Sequence, residues 1–167
     1  MDTFQALVVA LVVTRLDYGN GLPVYLSWRL QSVLNAAARL IFALRRSDHV
    51  SDALISLHWL CIPQHIQFKV AVLTYKVLHG CVPSYLGPFV HVADLPSQRA
   101  LHSANTSRLI QPQSNRSTVG DRAFPVAGPQ VWNSLPSEVT SAPSLDTFHR
   151  HLKTHLFTVS YSNIQLS

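Results

Sequence analysis

Acidic residues are scarce in this sequence, and glutamate is almost missing. Of the 167 residues only eight are acidic, against thirteen Lys and Arg, and Glu138 is the single glutamate. The net charge of +5 therefore comes from a shortage of acids rather than from an excess of bases. Most of the bases are arginines, whose planar guanidinium suits phosphate contact. Such a chain is able to bind a polyanion, although its charge alone does not require one.

The acids are also separated along the chain, which argues against metal-dependent catalysis. Polymerases and nucleases group carboxylates around two divalent ions about 3.5–4 Å apart. Here no two acids are adjacent, and no paired-aspartate motif occurs. A glycine-rich phosphate loop of the GxxxxGK[ST] type is missing as well. We therefore expect no catalytic residues and no enzyme activity in this chain.

Metal and nucleophile motifs are equally weak. Cys61 and Cys81 stand alone without CxxC spacing, so neither a zinc finger nor a disulfide scaffold is indicated. His149, His151 and His155 form an H-x-H-x₃-H cluster, but only the last two share a helix face, so surface histidines are the favoured interpretation. His58 is expected to be a core histidine, bonded to backbone. We expect no metal, no cofactor and no small-molecule substrate.

Long hydrophobic runs are missing too. The longest, Ala6–Val13, is too short for a membrane span of about twenty residues. Asp2 stands where a signal peptide carries bases, and Arg15 and Asp17 stand where it carries small residues. We expect no membrane partner and an intracellular location, nuclear or cytoplasmic.

Apolar residues make up 47% of the chain, and their spacing in the first half predicts helices. The predicted helices run over residues 3–16, 27–44, about 51–57, and 63 to about Gly80. Asp48 or Ser51 is expected to cap the third. Pro63 suits the first turn of the fourth, and Gly80 suits the residue just after its end.

The second half has a different pattern. Residues 90–117 are rich in polar residues and proline and are predicted to form a long loop, in which extended pieces near 100–102 and 108–112 could pair. A hydrophobic cluster from Phe124 to Leu135 is expected to be broken by Pro125, Pro129 and Pro136. Ser144 is predicted to cap a last helix with Leu145, Phe148, Leu152 and Leu156 on one face.

The predicted fold class follows from these elements. It is mainly α, with a small helical bundle followed by a long irregular loop with a possible short β-hairpin and a C-terminal amphipathic helix. We predict a helical thumb-like module at 1–90, a polar loop or linker at 91–118, and a small C-terminal module at 119–167.

Two groups of arginines are candidate nucleic-acid contacts. Arg39, Arg45 and Arg46 crowd the end of the second predicted helix, where cations also complement the helix dipole. Arg99, Arg108, Arg116 and Arg122 follow at roughly even intervals through the loop, where extended backbone could track phosphates. The alternative is that these arginines are only the solvated side chains of a loop, which gives the same spacing. Arg122 could also form an ion pair with Asp121 instead of contacting a phosphate.

Several long strings resemble one family. They are TRLDYGNGL (14–22), LQSVLNAAARLI (30–41), LHWLCIPQHIQFKVAVLTYKVLHGCVPSYL (57–86), VGDRAFPVAGPQVWNSLPSEV (119–139) and SLDTFHRHLKTHLF (144–157). In this order they resemble the C-terminal portion of non-LTR (LINE-type) retrotransposon reverse transcriptase polyproteins, nearest to the jockey and chicken-repeat-like clades. Gly19 stands where that family usually has cysteine.

The resemblance implies a position within a larger protein. In that family an endonuclease and an RNA-directed DNA polymerase precede the matched blocks. Residues 3–46 resemble the thumb, which holds the primer–template duplex, and the remainder resembles the C-terminal tail. We therefore expect a truncated, non-catalytic fragment whose partners are RNA or DNA duplex backbone and the missing polymerase palm domain. The alternative is a protein-interaction module or an inert remnant without nucleic-acid binding.

Overall fold

Helices dominate the computed structural model, which describes residues 24–83, 86–94, 107–112 and 123–162. The six α-helices in these ranges are α1 (Val24–Ile41), α2 (Ser51–Ser56), α3 (Ile62–Leu78), α4 (Phe124–Ser134), α5 (Ser137–Thr140) and α6 (Leu145–Tyr161). The described ranges contain no β-strand, which confirms the mainly-α prediction. The helix predicted at 3–16 lies outside the described residues.

The first three helices end in the same kind of turn. Each is followed by a residue with left-handed backbone: Ala43 (φ 51°), His58 (φ 54°) and Gly80 (φ 65°). The next residue then donates its N–H to a carbonyl five residues earlier, from Leu44 to Arg39, Trp59 to Leu54 and Cys81 to Lys76, at 2.9, 3.0 and 2.8 Å. This pattern satisfies carbonyls that a helix end otherwise leaves unbonded. Gly80 was predicted at this position, and the structure confirms it.

His58 corrects one expectation from the sequence. Its side chain is exposed rather than part of the core, and its ring stacks on Phe157 with centroids 6.1 Å apart. The reason is its place just after α2, where the left-handed backbone carries the chain out of the helix. The histidine therefore belongs to a helix end and not to the core.

The start of α2 also differs from expectation. Its N-cap residue is Val50, which forms no side-chain cap, so neither Asp48 nor Ser51 has the predicted role. The carboxylate of Asp48 instead accepts the Arg45 N–H at 2.7 Å, within the preceding turn. The acid is thus used to close that turn rather than to cap the helix.

Proline does not break the segment that follows the loop. Pro125 lies in the first turn of α4, where a missing N–H costs little, and Pro129 lies inside the same helix. The prediction of a broken cluster was therefore wrong over 124–134. Gly128 and Pro129 are both buried, so this turn of α4 belongs to the core, and tertiary packing there offsets the bond that Pro129 cannot make.

One antiparallel bridge pairs His91 with Leu109. Both residues lie in the segment 90–117 that was predicted to be a long polar loop. Ile110 donates its N–H to the Val90 carbonyl and Val92 donates to the Arg108 carbonyl, both at 2.9 Å. The bridge uses the predicted extended piece at 108–112. The other predicted piece, at 100–102, lies outside the described residues, so that pairing stays a prediction.

The chain divides into two compact units, one of residues 1–66 and 155–167 and one of residues 67–154. The core of the first combines α1, α2 and the beginning of α3 with Tyr161 of α6. Its buried residues are Leu34, Ala38, Ala53, Leu54, Ile62 and Tyr161. These boundaries differ from the modules 1–90, 91–118 and 119–167, which remain a prediction about the order along the sequence.

The second unit has an aromatic core. The rings of Tyr75 and Phe148 stack with centroids 4.5 Å apart, and Trp132 lies 5.8 Å from Phe148. The Tyr75 hydroxyl donates to the Ala142 carbonyl at 3.3 Å. The predicted cap of the last helix is present, since the Ser144 hydroxyl accepts the Thr147 N–H at 3.3 Å. α6 thus buries Phe148 and Leu152 as its spacing predicted.

Candidate nucleic-acid interface

Four of the seven candidate arginines fall within the described residues. Arg39, Arg45 and Arg46 belong to the first compact unit, and Arg108 belongs to the second. The other three, Arg99, Arg116 and Arg122, lie outside the described residues. Within the described residues the candidates therefore fall at two places, one after α1 and one in the bridge segment.

The turn after α1 sets the positions of Arg45 and Arg46. Asp48 closes the turn twice, since its carboxylate accepts the Arg45 N–H and its own N–H donates to the Arg45 carbonyl at 3.2 Å. Both arginine side chains are exposed. A fixed backbone with free cationic side chains is suited to backbone phosphates, which are contacted without base readout. The Asp48 carboxylate partly offsets this positive charge.

Arg39 is placed differently from its two neighbours. Its side chain is half-buried, and Nη2 donates to the Asp48 carbonyl at 3.4 Å, across nine residues. Its Nε is buried with no hydrogen-bond partner in the structure. Arg39 therefore braces the turn after α1, and it is less suited to duplex contact than Arg45 and Arg46.

Arg108 lies in the bridge segment with its side chain exposed. Its carbonyl accepts the Val92 N–H, and the next residue, Leu109, is held by Asn133. The backbone on both sides of Arg108 is thus held by hydrogen bonds, and Arg108 is the one cationic side chain in the described residues 107–112. One charge gives little affinity for a polyanion, because affinity grows with the number of phosphates neutralised.

No group of three potential metal ligands occurs among the residues that the structure describes. His149 and His151 have separate surroundings. The His149 ring lies 5.7 Å from that of Phe68, and His151 Nδ1 lies 3.2 Å from the Glu138 carbonyl oxygen. His149 is half-buried with an unpartnered Nε2, so it is not the surface histidine that the sequence predicted.

The sequence reasoning missed an exposed apolar surface on α1. Trp28 is 73% exposed, Leu40 60% and Val33 54%, and Phe42, just after the helix, is 42% exposed. Val33, Ala36 and Leu40 follow the three- and four-residue steps of one helix face. The spacing along this helix places Leu34, Ala37 and Ala38 on its buried face, but it places Val33 there as well, and Val33 is 54% exposed. Spacing alone therefore did not separate the buried side of α1 from the exposed one.

Comparisons with protein-family models, curated proteins and solved structures give no match for this chain. Among the described residues, no helix has the length and apolar character needed to span a membrane.

Proposed function

We propose that this chain is a non-catalytic C-terminal fragment of a non-LTR retrotransposon RNA-directed DNA polymerase, with weak residual binding to RNA or DNA backbone. The observation that carries the proposal is the block of long strings, in one order, that resemble the thumb and tail of that family. The scattered acids are consistent with it. The parent's polymerase and endonuclease would then belong to other segments, and the fragment would act inside the cell, in nucleus or cytoplasm.

The binding part of the proposal rests on the turn after α1. Arg45 and Arg46 are exposed next to each other, and the net charge of the chain is +5. Two phosphate contacts give weak affinity that falls with salt, because each neutralised phosphate releases condensed counterions. We expect little preference for base sequence, since contacts to phosphate carry none.

A titration of an RNA–DNA duplex at several salt concentrations tests this proposal. The full chain is compared with the double variant Arg45→Ala/Arg46→Ala. We expect the variant to bind more weakly, with a slope of log affinity against log salt that is lower by about 2. The matched control is Arg150→Ala/Lys153→Ala, which removes two exposed cations of α6 and leaves the candidate turn intact. Equal losses in both variants, or no binding by the full chain, would contradict the proposal.

The second candidate function is protein interaction, and the exposed face of α1 favours it. Trp28, Val33 and Leu40 are large apolar side chains open to solvent on one helix. Exposed apolar surface of this kind is typical of a contact with another protein. The partner would be the polymerase palm of the parent protein, and nucleic-acid binding would then be unnecessary.

Sedimentation of the full chain with a polymerase core from the same family distinguishes the two functions. Association that is lost in Trp28→Ser/Leu40→Ser, but kept in the control Val159→Ser, would support docking through α1. Val159 is a suitable control because it is another exposed apolar residue on a different helix. Absence of association with the unchanged chain would remove this function.

A further inference from the structure

Two aromatic rings are open to solvent at opposite ends of α1. Trp28, near the start of the helix, is 73% exposed, and Phe42, just after its end, is 42% exposed. The other large apolar side chains that are exposed in the described ranges are all aliphatic. An exposed ring differs from an aliphatic side chain because it offers a flat face on which another ring can stack.

The two rings are also aligned along the helix axis. Phe42 continues the helical path of α1, because its N–H still donates to the Ala38 carbonyl at 3.1 Å. It follows Trp28 by 14 positions. At about 100° and 1.5 Å per residue, this spacing puts the two residues about 40° apart around the helix and about 21 Å apart along it. Val33 and Leu40 lie about 120–140° around the helix from Trp28, so they belong to a different face.

Exposed arginines stand beside both rings. Arg29 follows Trp28, and Arg45 and Arg46 lie in the turn that begins at Phe42. No acidic residue occurs between positions 24 and 47. The charge of this surface is therefore complementary to an anionic ligand. A ligand that combines negative charge along its length with flat aromatic groups would use the arginines and the rings together.

The side of α1 between the two rings is polar. Ser32, Asn35 and Arg39 lie within about 40° of Trp28 around the helix. Ser32 is exposed, whereas Asn35 and Arg39 are half-buried. A ligand that reaches from one ring to the other would thus cross hydroxyl, amide and guanidinium groups, which suit the sugars and phosphates of a nucleic acid.

We propose that single-stranded nucleic acid binds along this side of α1, with unpaired bases stacked on the two rings and phosphates bonded to the arginines. The residues of this stacking surface are Trp28, Arg29, Phe42, Arg45 and Arg46. The inference rests on the proposed function, since it includes the same turn after α1, and it names an unpaired strand as the ligand.

Unpaired bases are the feature that the rings select. Proteins that bind single strands without sequence preference combine aromatic stacking platforms with a cationic track. The bases of a duplex are already stacked on their neighbours, so the rings add little to duplex binding. At 3.4 Å per stacked nucleotide, the distance between the rings corresponds to about six nucleotides. A short oligonucleotide is therefore sufficient to contact both ends of the stacking surface.

The test compares three probes: an oligouridine and an oligothymidine, each long enough to span both rings, and an RNA–DNA duplex of the same length. Each is titrated at several salt concentrations against the full chain and against Trp28→Leu, which keeps an apolar side chain and removes the ring. We expect Trp28→Leu to bind single strands at least about fivefold more weakly, since stacking contributes about 1–3 kcal/mol per base. Its salt slope should not change, because no phosphate contact is lost.

Two further variants separate stacking from general apolar contact. Trp28→Phe keeps a ring and should retain most of the affinity. Val33→Ala, on the other face of the same helix, should bind like the unchanged chain. Single strands should also quench the fluorescence of the unchanged chain more than that of Trp28→Phe, because a stacked base quenches the indole. Circular dichroism checks that each variant keeps its helices.

The duplex probe distinguishes this inference from the proposed function. If the duplex binds with the expected dependence on Arg45 and Arg46, but Trp28→Leu binds single strands as the unchanged chain does, stacking is overturned and the proposed function stands. Equal losses by Trp28→Leu on single strands and on duplex also overturn stacking. Binding of no probe overturns both. A loss on both oligonucleotides supports binding of either kind of strand, and a loss on one alone supports the proposal for RNA or for DNA only.

Discussion

The side-chain carbonyl of Gln31 on α1 accepts the backbone N–H of Ile62 at 2.8 Å, where α3 begins. The first N–H groups of a helix have no partner within it, and Ile62 is buried, so water does not replace the bond. Gln31 is itself held by Asn35, which accepts its side-chain N–H at 2.9 Å. A side chain of α1 thus provides the hydrogen-bond acceptor for a backbone N–H at the start of α3, 31 positions along the chain.

Replacement of Gln31 by alanine should destabilise the first compact unit. The change leaves the Ile62 N–H buried without an acceptor, which costs about 1–3 kcal/mol. Urea unfolding followed by circular dichroism measures the free energy. The control is Ser32→Ala, an exposed neighbour on the same helix, which should change stability by less than about 0.5 kcal/mol. Equal effects of the two substitutions would mean that the Gln31 bond contributes nothing.

Ala43→Gly should stabilise the protein. Ala43 has a φ of 51° after α1, a conformation that costs alanine about 1 kcal/mol and glycine almost nothing. The gain is partly offset by the greater freedom of glycine in the unfolded chain, so we expect an increase of a few tenths to about 1 kcal/mol.

Ala36→Gly provides the matched comparison for that substitution. Ala36 is exposed within α1, where glycine lowers stability by about 1 kcal/mol. The two changes are chemically identical and lie on the same helix or its end, so they should shift the unfolding midpoint in opposite directions. A shift in the same direction would show that the left-handed backbone at Ala43 is not a source of strain.

The helix ends also show how far the sequence predicted this fold. Gly80 and the Ser144 cap were predictable because their residue types carry a local signal. Ala43 and His58 occupy the same kind of position as Gly80, but neither residue type indicates it. The long-range bond between Gln31 and Ile62 and the packing at Gly128 depend on partners that local spacing does not identify.

At the candidate interface, too, some features could be predicted from local sequence and others depend on the folded structure. The sequence predicted that Arg45 and Arg46 lie at the end of a helix, and both are exposed in the turn that follows α1. The bond from Arg39 to the Asp48 carbonyl required the turn geometry, because the helix was expected to continue to Leu44 and instead ends at Ile41. Because α1 ends three residues earlier than predicted, Arg39 bonds the turn that follows the helix and is less suited to contact with a duplex.

Gly128→Ala should destabilise the second compact unit, although alanine favours helices by about 1 kcal/mol. A Cβ at this buried position would lie 2.8 Å from Phe89 Cζ and 3.0 Å from Thr74 Oγ1. Thr74 is fully buried and its hydroxyl donates to the Val70 carbonyl, so it has little room to move. We expect a net loss of about 1–3 kcal/mol in denaturant unfolding.

The same substitution in a Phe89→Leu background tests the cause. Leucine lacks the ring edge that the new Cβ would meet, so the added cost of Gly128→Ala should be smaller there than in the unchanged chain. The double-mutant cycle then gives a coupling energy of about 0.5 kcal/mol or more between positions 89 and 128. A coupling energy of zero would place the clash elsewhere.

Tyr161 should make the protein sensitive to alkali. Its hydroxyl donates to the Trp59 carbonyl at 2.5 Å, and burial, together with the neighbouring Cys61, raises the pKa of Tyr161 well above its ordinary value of 10.0. The folded state therefore keeps the neutral phenol. Below pH 10 both states hold the proton and the full stability is present, but above it the unfolded chain ionises first. Stability should then fall by up to about 1.4 kcal/mol per pH unit.

Tyr161→Phe separates this effect from general alkaline unfolding. The variant loses the bond to Trp59, so at neutral pH it should be less stable by about 1 kcal/mol. It has no phenol to ionise, so its stability between about pH 10 and 11 should decline less steeply than that of the unchanged chain. Urea unfolding at a series of pH values measures both slopes. Identical slopes would mean that Tyr161 titrates alike in the folded and unfolded states, and that its burial has no consequence for alkaline stability.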